Sequence, residues 1–136
     1  MMGRYPRFAW LGVVLALGLA WARPAEAQAR KPLEIVRVRV GLADCYKLGC
    51  WTPVEVFLRG TDEPRTGRVS IEVPDGDNVP TEVATPPERP CHVLPGVETS
   101  VLLYVRIGQL DAAMTVRFES EGRLLAKRVF ETGMEG

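Results

Sequence analysis

Beyond residue 32 apolar and polar side chains change places at nearly every step, a period of two that predicts β-strands. In LEIVRVRV, Val36, Val38 and Val40 share one face, and Arg37 and Arg39 the other. WTPVEVFL groups Val54, Val56 and Leu58, while GRVSIEVP sets Val69, Ile71 and Val73 inward with Arg68, Ser70 and Glu72 outward. TSVLLYVRIG is the clearest segment, aligning Val101, Leu103, Val105 and Ile107. AAMTVRFES aligns Met114, Val116 and Phe118, and RLLAKRVFE reads as a last strand with a poorer pattern. The intervening GTDEPRTG, PDGDNVP, TPPERP, LPG and SEG are rich in turn-forming residues. One apolar and one charged face per strand marks antiparallel sheets that bury a single side. Such short strands, six to eight in all, predict an all-β antiparallel sandwich, with a small open barrel as the alternative that shares the local pattern. Pro74 to Pro95 holds six prolines, which cannot donate to a sheet ladder, so this stretch reads as edge strand or extended loop.

The first 29 residues follow a different rule. Arg4 and Arg7 make a positive start without acids, Phe8 to Ala22 is an uncharged apolar run, and small residues at A-x-A spacing follow. This is the pattern of a secretory signal peptide with a helical apolar segment, cleaved after Ala29 or Ala27. A helix over that run rises about 22 Å, short of the roughly 30 Å hydrocarbon core, so a retained membrane anchor fits less well. The expected organisation is a leader over 1–29 and one β-sandwich domain over 30–136, with 132–136 as a loose tail. Export places the protein in the periplasm or outside the cell, with membrane contact only through an uncleaved leader.

The whole chain balances 17 basic against 17 acidic residues. Removing a leader with three arginines and one glutamate leaves a net charge of −2, with the signs interleaved. Nucleic acid calls for clustered positive charge, so it is not an expected partner.

Three segments carry a resemblance: YKLGCWTPVEVFLRG, GRVSIEVPDGDNVP and LPGVETSVLLYVRIG. Over Tyr46 to about Phe118 the chain resembles the N-terminal β-sandwich region of uncharacterised, exported and often membrane-anchored bacterial proteins. The resemblance runs through Tyr46, Lys47, Gly49, Trp51, Pro53 and Val54. It implies an immunoglobulin-like accessory domain without assigned catalysis, and it brings no functional residues.

The remaining candidates are few. Export permits disulfides, and Cys45 could close on Cys50 across CYKLGC, or Cys50 on Cys91, or all three thiols could stay unpaired. Cys45, Cys50, Cys91 and His92 number enough for zinc, but Cys91 and His92 are adjacent and point to opposite faces of an extended segment. His92 is the sole histidine, so acid–base or nucleophilic catalysis has to run through it, and no orienting group or oxyanion site is recognisable around it. Asp75, Gly76, Asp77 and Asn78 suggest a turn in preference to calcium, because Val79 and Pro86 stand where an EF-hand needs oxygen ligands. Trp51, at the entry of a strand, is expected to pack over the open end of the sandwich. The expected function is a non-catalytic structural or interaction module, a detached accessory domain of a larger envelope protein, with an unidentified protein or envelope component as partner and no cofactor. The alternative is a glycan- or protein-binding sandwich using Trp51, Tyr46 and the Asp75–Asn78 turn, for which an exposed aromatic ledge is the discriminating sign.

Overall fold

The period-two segments form eight strands in a computed structural model that describes residues 31–132. They are β1 (Leu33–Val40), β2 (Trp51–Gly60), β3 (Arg65–Pro74), β4 (Pro80–Ala84), β5 (Cys91–Val93), β6 (Glu98–Arg106), β7 (Ala113–Ser120) and β8 (Arg123–Glu131). The expected leader and its expected cleavage site lie outside the described residues. Among the described residues no helix is long and apolar enough to cross a membrane.

Two antiparallel sheets face each other. One has the order β1-β2-β6 and the other β4-β3-β7-β8, with β5 pairing the start of β3. Their inner faces interlock in a single core. Val54, Val56, Leu58, Leu103 and Val105 come from the first sheet, and Val69, Ile71, Val73, Met114, Val116 and Phe118 from the second. The inward rows expected of β2, β3, β6 and β7 are therefore the rows that are buried, because every inward step brings an apolar side chain out of water.

In β1 the face assignment differs. Ile35 lies opposite Leu58 and Arg37 opposite Phe57, which leaves Val36 as the extra residue of a β-bulge. The bulge switches parity within the strand: Leu33 and Ile35 are buried before it, and Val38 and Val40 pack against the core after it. Val36 does not share a face with them. Its carbonyl and that of Ile35 instead accept hydrogen bonds from Arg128 Nη1 at 2.6 and 3.0 Å. One β8 side chain thus closes the seam between the two sheets.

The proline-rich stretch forms the edge. β4 covers Ser70–Pro74 of β3 and β5 covers Arg65–Gly67. Between them the buried Thr85 completes the ladder, its N–H donating to Val69 O at 2.9 Å while its Oγ1 accepts from Val69 N at 3.1 Å. At the N-terminal side, Thr61 N and Oγ1 donate to the carbonyls of Pro32 and Lys31. Thr132, which the sequence suggests belongs to a tail, is only 3% exposed, and its N and Oγ1 both donate to Ala112 O at 3.0 Å. A hydroxyl that completes a buried carbonyl holds the chain down where composition alone suggests freedom.

Candidate functional site

The outer faces of the two sheets differ in chemistry. On the five-stranded sheet, Glu72, Arg68, Glu82 and Arg117 form a mesh of ion pairs. On the three-stranded sheet the outward rows, read along the β2–β6 register, are Trp51/Arg106, Pro53/Tyr104, Glu55/Leu102, Phe57/Ser100 and Arg59/Glu98. The lower half of this face is sealed. The Arg37 guanidinium lies 3.6 Å over the Phe57 ring, which stays only 8% exposed, and Glu98 bridges Arg37 and Arg59.

The upper half is open. Trp51 is 68% exposed, Leu102 54% and Tyr104 53%, and among the described residues no guanidinium lies over Trp51 or Tyr104. The expectation that Trp51 packs over the end of the sandwich is overturned. As the first residue of β2 it falls on the outward parity, one step from the buried Thr52, so its ring cannot reach the core. Tyr46 does not join the ledge. It is half-buried against the core, and its hydroxyl donates to Thr132 O at 3.3 Å.

Next to Trp51 the loops form a cleft of about 340 Å³ lined by Gly49, Asp75, Gly76, Asp77, Thr81, Arg106 and Gly108. One wall is the turn at Lys47–Cys50, in which Cys50 N donates to Lys47 O and Gly49 takes a φ of 71°. This positive φ suits glycine alone at low cost and lets the chain turn there. The other wall is the Asp75–Asn78 turn, where Asp75 Oδ1 accepts from Asp77 N and Val79 N, each at 2.9 Å. The carboxylate is spent partly on its own backbone, the usual work of an aspartate in a turn. Gly108 forms the floor, its N–H donating to Pro74 O at 3.4 Å. Arg106 is fixed from below, with Nε donating to Gly49 O at 2.8 Å. Among the described residues, neither Arg106 nor Asp75 nor Asp77 takes part in an ion pair. The cleft therefore offers free donors and free acceptors side by side.

The other candidate residues do not converge. Cys45 and Cys50 are exposed free thiols and Cys91 a buried one. Cys91 pairs with Gly67 at the start of β3, while Gly49, next to Cys50, lies with Asp75 beyond the end of β3. At about 3.3 Å per residue the two thiols stand some 20 Å apart or more, too far for a Cys50–Cys91 disulfide. Burial pushes the Cys91 thiol up to about 11. His92 is exposed on the opposite side of β5, with Nδ1 2.9 Å from Thr66 Oγ1. Among the described residues no three His, Cys, Asp or Glu side chains gather as metal ligands.

Sequence reasoning missed Leu102, Tyr104 and Arg106. The signal was the outward row of TSVLLYVRIG itself, where leucine and tyrosine occupy positions that a solvated face fills with charge.

Two of the solved structures that share this fold come from much longer chains. A β-glucuronidase from glycoside hydrolase family 2 matches with a TM-score of 0.56 at 11% identity, over 72% of this chain and 12% of that one. A Bacteroides fragilis protein described as a β-galactosidase matches with a TM-score of 0.55 at 13% identity, over 73% of this chain and 17% of that one. This chain spans less than a fifth of either. No curated protein matches it in sequence. Residues 34–133 match the family of domains of unknown function DUF8726, and the chain belongs to that family.

Proposed function

We propose that the protein is a non-catalytic interaction module, exported by its leader, whose working surface is the upper half of the three-stranded sheet. One observation carries this reading: the same face that seals Phe57 beneath Arg37 leaves Trp51, Tyr104 and Leu102 uncovered. Soluble domains seldom leave aromatic residues clustered at one end of a sheet without a partner for them. The strand order, three strands facing five with β4 and β5 both drawn to one side of β3, supports an immunoglobulin-like type of sandwich. The two matched chains carry this fold within much longer polypeptides, which supports an accessory role beside other domains. The leader pattern supports a place in the envelope or outside the cell.

The test is differential. The full chain, produced through the export pathway, is compared with a Trp51→Ser/Leu102→Ser variant and with a Leu124→Ser/Val129→Ser variant on the outer face of the other sheet. All four side chains are exposed, so both variants are expected to keep the wild-type melting temperature. Association with isolated envelope material should be lost only in the first variant. Equal association of both variants and the wild type refutes the reading.

A further inference from the structure

We infer that the Trp51 end of the sandwich is a subsite for neutral pyranose sugars, a proposal that rests on the upper sheet face being the working surface. Trp51 and Tyr104 are diagonal neighbours in the β2–β6 register, about 7–8 Å apart, and both present uncovered rings to solvent. They form an exposed aromatic platform with the cleft at its edge. A pyranose is the complementary shape, with an apolar C–H face for the ring and hydroxyls projecting around its rim. Each hydroxyl both donates and accepts, so recognition needs both kinds of partner at the edge of the platform.

The cleft supplies both. Arg106 pairs with Trp51 across β2 and β6, and its guanidinium is held by its Nε bond to Gly49 O with its terminal nitrogens free to donate. Asp77, on the opposite wall, brings an accepting carboxylate free of any ion pair among the described residues. At Gly49 and Gly76 a methyl group would meet nothing within 4 Å, so a hydroxyl can also approach the bare main chain of both walls. The charges select among saccharides. One arginine faces Asp75 and Asp77, so a uronate, sulfate or phosphate would meet repulsion from two carboxylates for a single favourable contact. A neutral sugar carries no such penalty. The first ring stacks on Trp51 with hydroxyls toward Arg106 and Asp77, and a second ring extends over Tyr104.

Trp51 is the one tryptophan beyond the leader, so its emission reports on the subsite directly. The exported chain, its leader removed, is titrated with cello-, xylo-, manno- and chito-hexaoses, and with polygalacturonate and heparin fragments as the anionic arm, by fluorescence and calorimetry. At least one neutral oligosaccharide should shift the emission saturably. Trp51→Ala should weaken that binding about tenfold or more, as removal of a central aromatic contact does. Arg106→Gln and Asp77→Asn should each weaken it about three- to tenfold, and Leu124→Ser should leave it unchanged. Binding by none of the neutral sugars, binding of the anionic polymers alone, or undiminished binding by Trp51→Ala overturns the proposal. If the sugars fail while Trp51→Ser/Leu102→Ser still loses envelope association, the saccharide proposal falls and the interaction surface stands. If that association also survives the substitutions, both fall.

Discussion

Gly108 forms the cleft floor by backbone contact, and a single methyl group tests that arrangement. A Cβ built at Gly108 would meet Gly76 N and Asp75 C far inside van der Waals distance, and Asp75 O at 2.7 Å. All three are main-chain atoms, so no side-chain rotation relieves the overlap, and the Asp75–Asn78 turn has to move. Overpacking of this kind costs about 1–3 kcal/mol. For a domain of about 100 residues the unfolding entropy is about 0.2 kcal/mol/K, so Gly108→Ala should lower Tm by about 5–15 °C. Gly76→Ala is the matched control, because the same methyl group on the facing turn meets nothing within 4 Å. It should be neutral or stabilise by up to about 1 kcal/mol through a less flexible unfolded chain. The assay is thermal and urea unfolding of both variants beside the wild type, with Trp51 emission as probe of the cleft. If Gly108→Ala melts within about 2 °C of Gly76→Ala, too small a gap for a cost of about 1 kcal/mol, the close approach of floor and turn is wrong.

Three further outcomes are expected. Arg128→Met should destabilise the fold by about 1–3 kcal/mol, since it strips the charged donor from the Ile35 and Val36 carbonyls, and amide exchange should rise in β1; unchanged exchange there would discount the seam contact. Arg37→Ala should cost about 1 kcal/mol, combining an exposed cation–π contact with a surface ion pair, and about half should persist in high salt because Phe57 is uncovered, which urea unfolding with and without 1 M salt would check. After mild reduction, iodoacetamide at pH 8 should label Cys45 and Cys50 in the folded protein and Cys91 only after unfolding. Because the folded Cys91 thiol holds its proton to about 11, the unfolded chain releases one first, and stability should fall as pH rises from about 9 toward 11; Cys91→Ala should remove that component, as urea midpoints at pH 8 and pH 10.5 would show.

Most of the sandwich was legible because each inward row pays no attention to distant sequence: Val54, Val56 and Leu58 declare a face by alternation alone, as do Met114, Val116 and Phe118. The bulge in β1 left a faint trace, the consecutive apolar pair Ile35–Val36, which alternation cannot resolve because both registers keep apolar residues on one side. Tertiary placement was not legible. Nothing local says that Cys50 and Cys91 end far apart, since that follows from which strand each one joins. Trp51 was misjudged because average burial of tryptophan outweighed the parity of its own strand, although Thr52, Val54 and Val56 inward leave Trp51 outward. The cleft, made from three separate turns, exists only once β2, β3 and β6 are aligned.

The anchored ends give the molecule a polarity. Lys31 and Pro32 are bonded to Thr61 at the far end of β2, whereas Thr132 is bonded to Ala112 and receives Tyr46 near the Trp51 end. Ten strand residues at about 3.3 Å each separate the two ends by roughly 30 Å. Polypeptide joined ahead of Lys31 would therefore hold the sandwich like a stalk, carrying the aromatic platform at the tip farthest from the support. Polypeptide continuing past Thr132 would emerge at the same end of the sandwich as the platform, from the opposite sheet.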